Sequence, residues 1–191
     1  MILKDLRAKI KTPIFARSDV IKLFIKESQN QINTQLHRMI KRGDLVGVKR
    51  GLYSFPNTTL DEFVVANKLY TPSYVSLESA LNVYGIFPDI TAIVTSVTTT
   101  TSKKLNTPLG NYVYSKINKN LFFGYESVLD KESCFYYNIA TPEKALLDFI
   151  YVRRIKNLEE FRVDMLVINK AILFNYLTYF PKWVGRVIKN A

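Results

Sequence analysis

The side chains with the most evident chemistry lie close together near the start of the chain: Asn30, Gln31, Thr34, His37, Arg38 and Lys41, followed by Lys49 and Arg50. Amides, a hydroxyl and an imidazole donate and accept hydrogen bonds, as the reading of base edges requires, and cations beside them suit phosphates. On a helix the first six project from the side opposite Ile32, Leu36, Met39 and Ile40, whose i, i+4, i+7, i+8 spacing predicts a buried stripe. Any exposed helix has a polar face, so the weight falls on what surrounds it.

Ser28 and Gln31 stand at the S-x-x-Q spacing of a capping box, which predicts a helix starting at Gln29. Gly43, the residue that most readily takes a left-handed cap, should stop it. Leu45, Val46 and Val48, then Leu52, Tyr53 and Phe55, flank Lys49-Arg50-Gly51 and predict two short strands around a basic tip. A helix running into such a hairpin is the winged form of the helix-turn-helix. The partner helix is expected from Ser18, as its cap, to about Ile25, with Val20, Ile21, Phe24 and Ile25 inward. Leu3, Leu6 and Ile10 predict one more helix in front.

Charge follows the same division. Residues 1–55 hold twelve Lys and Arg against four Asp and Glu, and residues 56–191 hold fifteen against twelve, so +8 of the net +11 lies in the first segment. Such a field attracts polyanions, and binding that releases counterions weakens steeply with salt. At 191 residues and 48% hydrophobic content the chain suits one or two compact domains. No apolar run approaches the roughly 20 residues of a membrane span. The start MILKDLRAKIK carries charges where a signal peptide is apolar, so a cytoplasmic protein without a membrane partner is expected. The single cysteine, Cys134, sits in a Cys-Phe-Tyr-Tyr run and is expected to be buried.

A boundary near Pro56-Asn57 divides the chain into 1–57 and 58–191. Thr59 and Glu62 make a second capping box, for a helix from Leu60 to about Tyr70 that Thr71-Pro72 breaks. Ser76 is expected to cap a helix carrying Leu77, Ala80, Leu81 and Tyr84 and ended by Gly85. The period then changes. Ile90 to Thr100, Gly110 to Ile117, Phe122 to Val128 and Ser133 to Ile139 are rich in β-branched and aromatic residues and predict four strands. Thr141-Pro142-Glu143 opens a helix with a cap, a proline at the first position and an acid in the first turn. Arg153, Arg154 and Lys156 would close it, where cations complement the helix dipole. Pro181 divides a helical tail into Asn169 to Phe180 and Lys182 to Lys189. The expected fold class is α+β: an N-terminal winged helix-turn-helix followed by a mixed domain with an antiparallel sheet of about four strands and C-terminal helices.

Four pieces in order, RGLYSFP from Arg50 to Pro56, SYVSLESALNVYGIFPD from Ser73 to Asp89, VTSVTTT from Val94 to Thr100 and ATPEKALLDFIY from Ala140 to Tyr151, resemble the AbiEi family of antitoxins over nearly the whole chain. The tail after Tyr151 is short beside longer members. The resemblance implies a winged helix-turn-helix joined to an antitoxin domain, in a type IV toxin-antitoxin pair of bacterial abortive infection against phage. It implies a repressor that binds inverted repeats of double-stranded DNA in its own promoter and counteracts a nucleotidyltransferase-like toxin. It also places Gln29, Asn30, Gln31, Asn33, Thr34 and His37, with Ser28 as cap, on the half of the recognition helix that enters a major groove. Arg38 and Lys41 would supply backbone contacts, and Lys49 and Arg50 at the wing tip would touch the backbone or the minor groove. The alternative is a winged-helix transcriptional regulator outside any toxin system, whose C-terminal domain senses a ligand or dimerises.

Enzyme chemistry is not expected. There is no G-x-G-x-x-G, no Walker loop and no paired Cys or His at metal-ligand spacing, and one histidine excludes a multi-histidine metal site. Adjacent Glu159 and Glu160 diverge by about 100° on a helix. Pro88-Asp89 can open a nuclease motif, but no acid-x-Lys follows. No catalytic residue, metal or cofactor is therefore assigned. Lys103, Lys104, Lys116 and Lys119 lie near Tyr112, Tyr114 and Tyr125 in sequence; such interleaving can stack single-stranded bases, or the tyrosines can pack a sheet.

Overall fold

A computed structural model describes residues 1–58, 60–88 and 92–189, and the chain is α+β. It divides into two compact units: Met1–Asp61 together with Thr107–Leu109, and Glu62–Asn106 together with Gly110–Ala191.

The first unit runs α1 (Leu3–Lys9), β1 (Ile14–Ala16), α2 (Arg17–Leu23), α3 (Gln29–Lys41), β2 (Val46–Lys49) and β3 (Leu52–Ser54). Its strands form an antiparallel sheet in the order β1-β3-β2. The three helices close over a core that includes Leu6, Phe15, Val20, Ile32, Leu36, Met39 and Leu45. Each such burial contributes about 1.5–3 kcal/mol relative to leaving the side chain in water. The stripe of α3 is therefore as its spacing predicts, with Ile40 half-buried at its edge.

The capping box of α3 is complete. Ser28 N donates to Gln31 Oε1 at 2.8 Å and Gln31 N donates to Ser28 Oγ at 3.3 Å, satisfying two amides that a helix start leaves without partners. Gly43 ends the turn after α3 at φ +78°, and Gly51 at φ +77° allows the hairpin tip. α2 departs from expectation at both ends. It starts at Arg17, and Asp19 caps it by accepting from Ala16 N at 2.9 Å, while Ser18 stays exposed. It stops at Leu23, which leaves Ile25 beyond its end and 82% exposed. β1 was not anticipated: three residues carry no alternation to read, and the strand exists only because β3 pairs with it.

The second unit contains α4 (Glu62–Leu69), β4 (Ser73–Val75), α5 (Leu77–Val83), β5 (Ile93–Thr98), β6 (Lys103–Thr107), β7 (Gly110–Lys116), β8 (Tyr125–Asp130), β9 (Phe135–Ala140), α6 (Pro142–Arg153), α7 (Lys170–Leu177) and α8 (Lys182–Lys189). The expected sheet of about four antiparallel strands is instead six strands in the order β6-β7-β5-β4-β9-β8, and it is mixed. β4 runs antiparallel to β5 and parallel to β9, and β5 runs parallel to β7. The four expected strands are present, while β4 and β6 are additional. β4 is buried at all three positions, so it lacks the alternation that marks a strand with one wet face.

The cap expected at Thr59, the acid at Asp89 and the strand start at Ile90 lie outside the described residues. Ser76 does precede α5, but its hydroxyl makes no capping bond; it donates to Asp148 Oδ2 at 2.9 Å. Cys134 is exposed rather than buried, at φ +59° in the turn between β8 and β9, so its aromatic neighbours belong to the strand and it does not. Among the described residues no helix is long and apolar enough to cross a membrane.

α6 is the central helix of this unit, buried at every position from Glu143 to Ile150 and packed by α5, α7 and α8. Thr141 Oγ1 accepts from Lys144 N at 3.4 Å, as the Thr-Pro-Glu start predicts. Glu143, Lys144 and Asp148 are buried with the rest, and each is partnered. Glu143 Oε1 accepts from Asn169 N at 2.9 Å, at the start of α7. Lys144 donates to Asp148 and, at 2.8 Å, to the Tyr74 hydroxyl, which donates to Asp148 Oδ2 at 2.9 Å. Burial pushes the Asp148 carboxyl up and the Lys144 amine down, and their mutual attraction opposes both shifts.

Candidate nucleic-acid interface

The apolar stripe of α3 shares a core with residues of α1 and α2, and its other side meets solvent. Gln29, Asn30, Gln31, Thr34, His37, Arg38 and Lys41 are all exposed, and Asn33 is half-buried. Residues 30, 34, 38 and 41 follow one another along the helix at i, i+4, i+8 and i+11, and 33 and 37 form a second row beside them. No acidic side chain stands in the first turn of α3, so the positive end of its dipole is not offset there.

The second row opens onto a groove of about 590 Å³. Asn33 and His37 line it from α3, Arg17 and Ser18 from the start of α2, and Arg50, Gly51 and Tyr53 from the hairpin. Two bonds fix this meeting point. Arg17 N donates to Gly51 O at 2.9 Å, tying the first turn of α2 to the hairpin tip, and Arg17 Nη1 donates to Asn33 Oδ1 at 3.2 Å. Among the described residues none that lines the groove is acidic. Arg17, Arg38, Lys41 and Arg50 form no ion pair among the described residues.

The candidate residues thus separate into three sets. Asn33, His37 and Arg50 come together in the groove. Gln29, Asn30, Thr34, Arg38 and Lys41 lie on the exposed face of α3 outside it, and Lys49 is exposed at the end of β2. Ser28 and Gln31 spend their oxygens on the cap, and the Thr34 hydroxyl donates to Asn30 O at 2.9 Å, leaving its oxygen to accept. Arg17 is the residue that sequence reasoning passed over. Its signal was the Arg-Ser-Asp run at the helix start, where placing the cap at Ser18 put Arg17 outside the helix and away from α3.

The second basic cluster does not form a stacking platform. Tyr112 and Tyr114 are buried, and the Tyr114 hydroxyl donates to Ala66 O at 2.7 Å. Tyr125 stacks on Tyr74 with ring centroids 4.6 Å apart. Lys103 lies over the Tyr70 ring, 5.6 Å from its centroid. Arg153 stands in the last turn of α6 as expected, and it also makes a two-pronged pair with Glu78 of α5 at 2.6 and 2.9 Å.

Among the described residues no three His, Cys, Asp or Glu side chains gather as a metal site would require. No family model matches the chain, and no curated protein matches it.

Proposed function

We propose that the first unit is a winged helix-turn-helix that sets α3 into the major groove of double-stranded DNA, with the β2–β3 hairpin as its wing, and that the chain is an autorepressing antitoxin. The observation that carries the DNA reading is the shared groove. A row of hydrogen-bonding side chains on α3 and the arginine of the hairpin tip open on the same side, joined by Arg17, with no carboxylate among them.

Asn30 and His37 offer both donors and acceptors, Asn33 its N–H donors and Thr34 an acceptor oxygen, and these set sequence preference through base edges. Arg17, Arg38, Lys41, Lys49 and Arg50 contact phosphates and supply affinity without regard to sequence. The concentration of positive charge in residues 1–55 supports the same division. The antitoxin role rests on the AbiEi resemblance alone, and with it the partner: a nucleotidyltransferase-like toxin encoded beside this chain.

Gel-shift titration against the chain's own upstream region, followed by co-expression with the adjacent gene, tests both parts. Specific retardation of that region and rescue of growth support the proposal. Retardation without rescue, beside a gene of unrelated chemistry, makes the chain a regulator of another operon. No preference for that region over random duplex overturns the repressor reading.

A further inference from the structure

A second cleft, of about 940 Å³, is lined entirely by residues of the second unit and has no part in the duplex contacts described above. It forms where α6 ends, α8 begins and β7 runs out. Arg154 takes a left-handed conformation, φ 55°, with its N–H bonded to Ile150 O, and this turns the chain back at the end of α6. The buried Ile155 anchors that turn, so Arg154 and Lys156 on either side of it stay exposed. Pro181 directly precedes α8, whose first turn stacks Trp183 on Tyr151 of α6, centroids 6.2 Å apart and ring planes 20° apart. Lys116, at the end of β7, lines the cleft as well.

Among the described residues the lining contains five cations and no carboxylate. Arg153 is committed to Glu78, whereas Lys116, Arg154, Lys156 and Arg186 are exposed and have no ion-pair partner among the described residues. Four like charges around one cleft repel one another, an arrangement that favours a multiply charged anion between them. The first turn of α8 adds the positive end of a helix dipole to the same wall. Beside these cations stands the Tyr151–Trp183 ring pair. An acidic peptide would satisfy the cations but not the aromatic wall, and a bare phosphate would leave most of the volume empty. A cleft of this size lies within the roughly 300–1,000 Å³ typical of small-ligand sites.

We infer that this cleft binds a nucleotide, its base against Trp183 and Tyr151 and its phosphates on Arg154, Lys156 and Arg186. The nucleotide is either a free nucleoside triphosphate or the terminal nucleotide of a single strand, since both present the same base and phosphate chemistry.

Trp183 is the chain's single tryptophan, so its fluorescence reports on this cleft alone. The full chain is titrated with each of the common nucleoside triphosphates and with a short single-stranded oligonucleotide, and calorimetry is run in parallel. Tripolyphosphate and a polyglutamate peptide serve as controls. Saturable quenching by a triphosphate assigns a free nucleotide, and quenching by the oligonucleotide alone assigns a strand end. In either case Arg154→Ala/Lys156→Ala, two exposed positions, should weaken binding about tenfold or more. Arg186→Gln provides an independent loss should that double variant misfold by circular dichroism. The assignment is overturned if neither ligand quenches saturably, if tripolyphosphate or polyglutamate binds as tightly, or if the folded variants bind as the parent does.

Discussion

Arg17 Nη1 donates to Asn33 Oδ1 at 3.2 Å, joining the first turn of α2 to the middle of α3. With its oxygen so occupied, the Asn33 amide presents its N–H groups as donors, and the arginine stands beside Arg50 in the same groove. If Arg17 also reaches a phosphate, Arg17→Ala should lower affinity for the promoter duplex and reduce the salt slope by about one. Its stability should stay within about 0.5 kcal/mol, as for other exposed positions. Fluorescence anisotropy at several salt concentrations, with a thermal melt of the same samples, checks both halves. A full salt slope in the variant removes Arg17 from the interface.

Ser28→Ala deletes the oxygen that accepts from Gln31 N and exposes an unpartnered amide at the start of α3. The expected loss is about 1 kcal/mol, within a range of about 0.5–2. Urea denaturation should show a lower midpoint at unchanged slope. An unchanged midpoint would mean that tertiary contacts alone hold the helix start.

Lys144→Met leaves the Asp148 carboxylate buried with only the Tyr74 and Ser76 hydroxyls as donors. Breaking a fully buried pair from one side costs roughly 3–5 kcal/mol. Lys144→Met/Asp148→Leu removes both charges and should recover part of that loss, so the single variant is the less stable of the two. Denaturation of both variants decides it, and the reverse order would show that the hydroxyl network matters more than the charges.

Burial, with a smaller contribution from Glu126, pushes the Tyr84 phenol up from its ordinary 10.0 to about 12. Burial raises Tyr114 and Tyr74 in the same direction. Between these values the unfolded chain has given up its protons while the folded chain keeps them. Folding then binds protons, so stability must fall as pH rises above about 10. Denaturation midpoints measured from about pH 9 to 11 should decline, and Tyr84→Phe should flatten the decline. A midpoint that rises with pH in this range contradicts the assignment.

What the sequence makes legible is local. Ser28, Gln31, Gly43 and the spacing of Ile32, Leu36 and Met39 define α3 to the residue, because a cap and a 3.6-residue period are written within one stretch of chain. Thr141-Pro142-Glu143 does the same for the start of α6. What escapes is long-range. Val75 pairs in parallel with Ile139, and β5 with β7, and nothing near Val75 announces either neighbour. Ser76 and Asp148 show the same limit for a single side chain: a serine before a helix reads as a cap, but a buried carboxylate 72 residues away takes its hydroxyl. Cys134 fails for a third reason. Its apolar neighbours suggest a core, while the positive φ of a tight turn, which sequence does not print, turns it outward. Within the candidate site the exposed face of α3 was readable and the contribution of Arg17 was not, since it depends on a contact 16 residues away.

On the proposed function, α3 and the hairpin tip engage one duplex together. Binding of the promoter duplex and of a random duplex should be measured over a series of salt concentrations, for the parent chain and for Lys49→Ala/Arg50→Ala. The double variant should bind both duplexes more weakly, by a similar factor, with a salt slope lower by about one unit per lost phosphate contact. Equal affinity of variant and parent at every salt concentration would contradict that joint engagement.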